Sequence, residues 1–289
     1  MILDIVRKII LENRTTVIRK KFNYNNKLKY SNNLNFSISS YGNKNKSKIF
    51  YVIKRTPGGG MFSNVNFIIN HLLIAEKLNF VPIIDMQNFS TFYNENKQIN
   101  KSYNAWDYYF KKINNYKIKE VYKSKKVIFT DSKPGKSKFF DGFENLNNDH
   151  KKISKKYIKF QKYIVNEAND FINKNFFNHK VLGVHFRGSD QKTQERHPFP
   201  ATTKQIERQI SFLTKKYKYT KIFLVTEEKK YLSFFKKKYK EKLIFFDSYV
   251  CNNQNIFDNS KRNLHRYKIG KENIINMICL SRTNHLLGV

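Results

Sequence analysis

The sequence predicts an α/β protein with two Rossmann-like lobes and a cleft between them. In both halves of the chain, short apolar runs typical of buried strands alternate with longer segments of helical apolar spacing. This alternation indicates parallel sheets covered by helices. A long helical segment separates the two halves, which indicates that each half forms its own sheet. The length of 289 residues suits one large domain or two small ones, and ligands favour clefts between such lobes.

These patterns divide the chain into three parts. Residues 1–47 are expected to form an N-terminal basic helix and a linker, residues 48–150 the first α/β lobe, and residues 151–289 the second lobe. The helix at 1–11 has charged residues within its apolar part and lacks a small-residue cleavage site, so it is a poor signal peptide. It could lie on an anionic membrane surface or pack on its own domain.

The first lobe begins with a strand-loop-helix-strand unit. Its segments are a strand at 49–53, a glycine-rich turn at 55–60, a helix at 63–78 and a strand at 81–84. Ser63 or Asn64 is the expected N-cap of the helix, and the second strand ends at Asp85. Residues 86–126 are less regular, and residues 127–130 predict another short strand.

The second lobe repeats the strand-helix alternation after a long helix at 151–175. Its later segments are strands at 181–186, 222–225, 243–246 and 285–289, and helices at 203–216, up to 239, and at 271–282. The last strand is expected to be buried, and a buried strand needs another element to cover it. The C-terminal lobe is therefore expected to be truncated, unless that strand lies at a sheet edge.

The charge of the chain is its most unusual bulk property. It has 56 Lys and Arg residues against 22 Asp and Glu residues, a net charge of +34. Such a charge favours nucleic acid, anionic lipid or phosphorylated ligands as partners. The basic residues are mostly lysine and are spread along the whole chain, as an AT-biased genome would also produce. We therefore favour compositional bias and a generally anionic partner over a dedicated nucleic-acid surface.

Cysteine use and hydropathy restrict the class of protein further. Cys251 and Cys279 have no Cys or His neighbour at metal-ligand spacing. They are expected to be ordinary reduced thiols of a cytoplasmic protein, although a disulfide between them is compatible with the sequence. No stretch approaches about 18 uninterrupted apolar residues, so no transmembrane helix is expected.

The segment 181–192 is the strongest candidate for a functional site. It begins as an apolar strand and ends in polar side chains. Ligands of open α/β sheets bind beyond the carboxyl ends of the strands, and an arginine there can hold a phosphate through its planar set of donors. A strand followed by a polar turn with a surface arginine fits the spacing equally well. The glycine and polar residues are Gly183, His185, Arg187, Gly188, Ser189, Asp190 and Lys192.

Other residues give weaker signals. The glycines at 58–60 precede a helix, where free N–H groups bind anions, but a plain tight turn explains them as well. His71 fits a structural or surface position, and Asp85 either caps the turn after its strand or faces the cleft. Glu227 and Glu228 follow a strand and could bind sugar hydroxyls, or could be the N-cap and first-turn acids of the next helix. The structural interpretation is favoured for Glu228.

These motifs resemble those of the α-1,6-fucosyltransferases, a group that includes the bacterial nodulation enzymes and the core fucosyltransferases of animals. Residues 185–192 are similar to the His-x-Arg-Arg-Thr-Asp-Lys motif, and residues 223–228 to Leu-Ala-Thr-Asp-Asp. Residues 58–85 resemble the start of the acceptor lobe of bacterial relatives, and residues 267–287 the final strand-helix-strand. The resemblance covers residues 49–289, and the arginine motif is fairly specific.

The resemblance implies an inverting, metal-independent glycosyltransferase of GT-B type without a cofactor. It would transfer fucose from GDP-fucose to a glycan or lipid-linked glycan. Arg187 would hold the donor β-phosphate and stabilise the departing diphosphate, and Glu195 would be the general base for the acceptor hydroxyl. His185 would help to hold the guanosine part, and Asp190 would orient the loop. The other implied donor-site residues are Gly188, Lys192, Thr226 and Glu227, and the acceptor-side residues are Gly59, Gly60, Asn64, His71 and Asp85.

The chain departs from the family pattern at three places. Gly188 stands where the motif has its second arginine, Glu227 and Glu228 replace two aspartates, and the Ser-rich segment expected after the last strand does not follow Val289. Two alternatives to an active transferase stay open. One is an inactive truncated transferase. The other is a basic nucleic-acid-binding protein, against which the sequence has no evident helix-turn-helix, zinc-finger or RNA-binding motif. The charge would also suit peripheral contact with an anionic membrane, at its cytoplasmic face.

Overall fold

The computed structural model describes residues 18–23, 33–130, 148–188, 201–252, 256–257 and 261–288, with side chains from residue 38 onward. The chain divides into two compact units, Met1–Phe160 and Gln161–Val289. In the part of the chain described, each unit is built on one sheet. No helix in those ranges is long and apolar enough to cross a membrane.

The first unit contains a five-stranded mixed sheet. Its elements are β1 (Ile18–Asn23), β2 (Asn33–Ser39), β3 (Phe50–Ile53), α1 (Met61–Lys77), β4 (Val81–Ile84), α2 (Ala105–Tyr109), α3 (Ile118–Val121), β5 (Val127–Phe129) and α4 (Asn148–Tyr157). The strand order is β1-β2-β5-β3-β4. β3 pairs in parallel with β4 and β5, whereas β2 pairs antiparallel with β1 and β5. Phe50, Val52 and Val127 are fully buried in its core.

Strands β1 and β2 lie within residues 1–47, which the sequence analysis assigned to an N-terminal basic helix and a linker. That interpretation is wrong for residues 33–39, which form β2. Leu34, Phe36 and Ile38 alternate with polar residues along this segment, which is the period-two pattern of a strand. The neighbouring Asn and Ser residues obscured the pattern. The predicted N-terminal helix at 1–11 lies outside the described residues.

Helix α1 begins two residues earlier than predicted. Its N-cap is Gly60, and neither Ser63 nor Asn64 caps it with a side chain. Asn64 instead bonds backward to the glycine loop, accepting from the N–H of Gly59 at 2.9 Å and donating to the carbonyl of Gly59 at 3.1 Å. The helix packs on the sheet through buried side chains that include Ile68 and Leu72.

The single long helix predicted at 151–175 is two helices. Residues 158–161 interrupt it, because their backbone pairs with a neighbouring segment instead of continuing the helix. The N–H of Lys111 donates to the carbonyl of Lys159 at 2.7 Å, and Phe110 and Phe160 form an isolated bridge with ring centroids 5.3 Å apart. The second of the two helices opens the second unit.

The second unit is a parallel sheet with helices on both faces. Its elements are α5 (Lys162–Phe176), β6 (Val181–His185), α6 (Thr203–Tyr217), β7 (Lys221–Val225), α7 (Lys229–Tyr239), a 3₁₀ turn (Lys240–Lys242), β8 (Leu243–Ile244), α8 (His265–Leu280) and β9 (His285–Gly288). The order is β8-β7-β6-β9, and every pair is parallel. Leu182, Val184 and Leu224 face α6 and α7, whereas Phe223 packs against Phe171 of α5 on the opposite face.

Strand β9 lies at the edge of this sheet among the described strands, as one of the two alternatives predicted. It is not buried, however: Leu286 is 61% exposed. Helix α8 also begins six residues earlier than predicted, at His265, and β8 ends at Ile244 instead of 246. The α/β fold class with two units of Rossmann-like alternation is confirmed.

Candidate functional site

The candidate site lies where β6 and β7 end. The register of the sheet places His185, the last residue of β6, opposite Val225 of β7 and Gly288 of β9. The pairing continues one residue further, since the N–H of Phe186 donates to the carbonyl of Val225 at 2.9 Å. Phe186 is fully buried and stacks on Tyr231, with ring centroids 4.3 Å apart. Its neighbour is thereby held at the carboxyl edge of the sheet, where ligands bind in this class of fold.

That neighbour is Arg187, which meets Glu227 from the next strand. The Nε of Arg187 lies 3.6 Å from Oε2 of Glu227, and both side chains are partly exposed, at 34% and 26%. Each of the two residues follows a strand, as the sequence analysis expected, and the parallel pairing of these strands brings their side chains together. An arginine at this edge can bind a phosphate, and the carboxylate of Glu227 attracts its guanidinium at ion-pair distance.

Backbone contacts anchor the loop that carries Glu227. The carbonyl of Glu227 accepts from the N–H of Cys251 at 2.9 Å, and the N–H of Lys229 donates to the carbonyl of Cys251 at 3.0 Å. Thr226 accepts from the N–H of Glu228 through its Oγ1 at 3.3 Å. Of the predicted donor-site residues, Thr226 therefore shapes the turn, while Glu227 reaches Arg187.

Gly188 and Glu228 are packed against one another. Glu228 is 1% exposed and forms the N-cap position of α7, without a capping bond from its side chain. A methyl group on Gly188 would overlap Oε1 of Glu228 and lie 2.5 Å from Cε2 of Tyr231. Gly188 stands where the family motif has its second arginine. Glu228 and Tyr231 fill the space that a side chain at this position would need. The structural interpretation of Glu228 is supported, although not as a capping acid.

His185 is mostly buried beside this cluster. Desolvation lowers the pKa of its imidazole, and the positive charge of Arg187 lowers it further. The side chain is therefore neutral near pH 7, with one nitrogen able to donate and the other able to accept a hydrogen bond. Asp190, Lys192 and Glu195, the other residues predicted on this loop, lie outside the described residues.

The glycine loop of the first unit forms a second polar cluster. Gly58 has φ of +82°, and a Cβ there would lie 2.7 Å from Oδ1 of Asn64, so a glycine is required. Gly60 leads into the helix, and Gly59 is held by Asn64 as described above. Hydrogen bonds from Asn64 therefore stabilise this turn. The role of the loop on the acceptor side stays a prediction.

Arg55, which the sequence analysis did not single out, stabilises this loop. Arg55 is 7% exposed. Its guanidinium donates to the backbone carbonyl of Ser63 and also to Oγ of Ser63, the latter at 3.0 Å. Its guanidinium lies over the ring of Phe67, 4.9 Å from the centroid, and burial lowers its pKa. Its position three residues before the glycine run was the available signal.

His71 and Asp85 lie in the core of the first unit. Nδ1 of His71 is 2.9 Å from the hydroxyl of Tyr51, and the imidazole is 4% exposed. Asp85 is fully buried and accepts hydrogen bonds from the backbone N–H groups of Gln87 and Asn88 and from the hydroxyl of Tyr122 at 2.7 Å. Burial nevertheless raises the pKa of its carboxyl. These contacts support the structural interpretation of both residues, with Asp85 capping the turn after β4.

Both cysteines are free and buried. Burial raises the pKa of the Cys279 thiol to about 12, so it stays protonated. The described residues contain no group of three or more His, Cys, Asp or Glu side chains that could hold a metal ion.

Comparison with known proteins finds a match in fold but none in sequence. No family model matches the chain, and no curated protein sequence matches it. Solved structures do match. The fucosyltransferase NodZ from Bradyrhizobium has a TM-score of 0.52 at 13% identity, over 83% of this chain and 88% of that chain. The NodZ α-1,6-fucosyltransferase co-crystallised with GDP gives 0.51 at 13% identity, and the one soaked with GDP-fucose gives 0.51 at 14%, with the same coverage. The likeness shows a shared fold, the one that the motifs predicted.

Proposed function

We propose that the chain is an inverting, metal-independent glycosyltransferase that transfers fucose from GDP-fucose to a glycan acceptor. The observation that carries the proposal is the pair Arg187–Glu227 at the carboxyl edge of a parallel sheet. The matching fold is that of NodZ structures obtained with GDP and with GDP-fucose. A guanidinium at this edge fits the diphosphate of such a donor.

Arg187 is proposed to stabilise the leaving group. When the bond between the sugar and the diphosphate breaks, negative charge grows on the β-phosphate, and a guanidinium already in place lowers the energy of that state. Glu227 orients Arg187 before the donor arrives, so little reorganisation is needed. Neutral His185 donates or accepts a hydrogen bond to the guanosine part without adding a charge that would repel Arg187.

The proton of the acceptor hydroxyl needs a base in an inverting transfer. Glu195 is proposed for this role, with Asp190 and Lys192 on the same loop as orienting and phosphate-binding residues; these three assignments rest on the motif alone. A Glu195→Gln variant is expected to bind GDP as the wild type does and to turn over more slowly. An unchanged turnover would move the base elsewhere.

The first experiment is calorimetric titration of the purified chain with GDP, UDP, CDP and GDP-fucose at moderate salt. Selective binding of GDP and GDP-fucose supports the proposal. Equal binding of all nucleotides, with an affinity that falls steeply as salt rises, would instead indicate non-specific attraction of phosphates to a basic protein. Detection of fucose transfer to mixed glycan acceptors is the second step.

A further inference from the structure

A cavity in the first unit shares no lining residue with the proposed donor site. It has a volume of about 520 Å³, within the range of ligand pockets of about 300–1,000 Å³. All of the residues that line it lie between Ile83 and Lys119, whereas Arg187 and Glu227 belong to the second unit. Its walls come from β4 and from the loops and short helices that follow that strand.

The sequence builds this cavity against the outer edge of β4. Asn104 donates to the carbonyl of Ile84 at 3.0 Å and accepts from the N–H of Met86 at 2.9 Å. Asn114 donates to the carbonyl of Pro82. These amides satisfy backbone groups on the outer side of β4, which is an edge strand among the described strands. They tie the loops that carry Asn104 and Asn114 to the strand that lines the cavity.

A tight turn brings a cation to the mouth of the cavity. Ile99 and Ser102 exchange backbone hydrogen bonds of 2.9 and 3.0 Å, and the two residues between them have left-handed backbones, with φ of 48° at Asn100 and 64° at Lys101. This is the geometry of a type I′ turn. Lys101 and Tyr103, which is 46% exposed, both line the cavity.

The polar lining matches the surface of a saccharide. Gln87 and Gln98 are exposed, and their side-chain amides make no hydrogen bond to another residue in the described ranges. Each can donate to one sugar hydroxyl and accept from another. The exposed ring of Tyr103 offers a negative face to the weakly positive C–H groups of a pyranose. The amides of Gln87 and Gln98 and the exposed Tyr103, all in one lining, favour a sugar over a purely apolar ligand.

The charge of the lining selects among saccharides. Four lysines line the cavity, at positions 101, 112, 117 and 119, and Asp107 is the only acid among the described residues of its wall. Asp107 also accepts a hydrogen bond from Oγ of Ser102 at 3.0 Å. Asp107 interacts electrostatically with Lys112, so four positive charges of the lining face one negative charge. Carboxylates on a sugar would complement this excess of positive charge, whereas a neutral sugar would not.

We propose that this cavity binds an acidic oligosaccharide, as the acceptor subsite of the transfer reaction. The role as acceptor subsite rests on the proposed function; the binding of acidic sugar does not. The cavity volume accommodates an oligosaccharide segment, and the ammonium groups fix the position of its carboxylates. The class of acceptor is thus a glycan that contains uronic or sialic acid residues.

Trp106 makes the site observable. It is the only tryptophan in the chain, it lines the cavity, and it is held rigid by stacking on Phe110 at 4.1 Å. A ligand in this cavity is therefore expected to change the emission of this indole. We would titrate the full chain with trigalacturonate and sialyllactose, and with galactotriose and lactose as their neutral counterparts. The acidic sugars are expected to change the Trp106 emission at concentrations at which the neutral sugars do not.

Two variants and a matched control test the residues. Lys112→Gln and Tyr103→Ala are each expected to weaken binding of the acidic sugar by about fivefold, as the loss of one partly exposed contact would. Lys111→Gln removes the same charge at the adjacent exposed position, which does not line the cavity. It is expected to bind like the wild type.

Three results would overturn the inference: no change in emission with either acidic sugar, equal affinity for inorganic tripolyphosphate, or equal weakening by Lys111→Gln and Lys112→Gln. The last two would mean attraction by net charge alone. Calorimetry with GDP on the same preparation separates the two proposals. GDP binding without a sugar response removes the subsite and leaves the transferase. A sugar response without GDP binding leaves a saccharide site and removes the transferase.

Discussion

Nε of Arg187 and Oε2 of Glu227 lie 3.6 Å apart, although the two residues come from different strands 40 positions apart in the chain. Parallel pairing of β6 with β7 brings the ends of both strands to one edge, and that is why the two side chains meet. The carboxylate attracts the guanidinium to this edge of the sheet at ion-pair distance. A diphosphate that binds there meets donors already in place.

Replacing Arg187 by alanine is expected to lower fucose transfer at least about a hundredfold, because the charge that stabilises the leaving diphosphate is lost. The side chain is about one-third exposed, so the fold should survive. Transfer assays and circular dichroism measure the two effects. The control is Arg208→Ala, which removes an exposed arginine from α6. Transfer at the wild-type rate in Arg187→Ala would remove the central assignment.

A Gly188→Ala variant is expected to lose about 1–3 kcal/mol of stability, because the new methyl group overlaps Glu228 and Tyr231 in a packed region. Gly288 offers a matched control, since a Cβ there meets nothing within 4 Å. Gly288→Ala should change stability by less than about 0.5 kcal/mol. Denaturant unfolding of the three proteins compares them. If both alanine variants unfold together with the wild type, Glu228 yields freely and the packing argument fails.

His185 is expected to make the folded state less stable as the pH falls. Its pKa is lowered in the folded protein, so the unfolded chain takes up a proton first, near its ordinary pKa of about 6.5. The free energy of unfolding then decreases as the pH drops from that value toward the folded pKa. A His185→Gln variant should lose less stability than the wild type between about pH 7.5 and about pH 5.5. Melting temperatures across this range test the slope, and parallel curves would contradict it.

Asp85→Ala is expected to destabilise the first unit by about 3 kcal/mol or more, since it removes a fully buried carboxylate and leaves two backbone N–H groups and the Tyr122 hydroxyl without their acceptor. Removing the exposed Asp170 in the same way serves as the control. Urea unfolding gives the difference. A stable Asp85→Ala protein with impaired transfer would instead restore Asp85 to the acceptor side.

The strands of the second unit were predictable because their apolar runs are short, rich in β-branched and aromatic residues, and bounded by polar turns. β6 and β7 occupy nearly the positions expected, and so Arg187 and Glu227 could be placed together. The sequence pattern gave a wrong prediction where contacts of the backbone, and not the spacing of apolar side chains, determine the structure. The helix at 151–175 is broken because the backbone of Lys159 pairs with Lys111, a contact that no periodicity encodes.

The two candidate sites differ in the same way: the first could be predicted from the sequence and the second could not. A motif marks Arg187, since the residues proposed to bind the donor phosphate follow one another in the sequence. The cavity beside β4 has no such motif. Gln87, Lys101 and Lys112 are brought together by the packing of an irregular segment, and the sequence analysis described that segment only as less regular. Arg55 was overlooked for a similar reason, because its partner Ser63 lies beyond the glycine turn.

The position of β9 beside β6 has a consequence for how the protein is made. The side chain of Asn284 accepts from the N–H of Val181 at 2.7 Å, across 103 residues of chain. A ribosome has therefore translated nearly all of the second unit before the strand that leads to Arg187 gains its second neighbour. Contacts between such distant residues form slowly, and an unpaired strand edge is prone to associate with other chains in the meantime. Chaperones and a low expression temperature are therefore expected to raise the yield of folded protein more for this unit than for a helical protein of the same size.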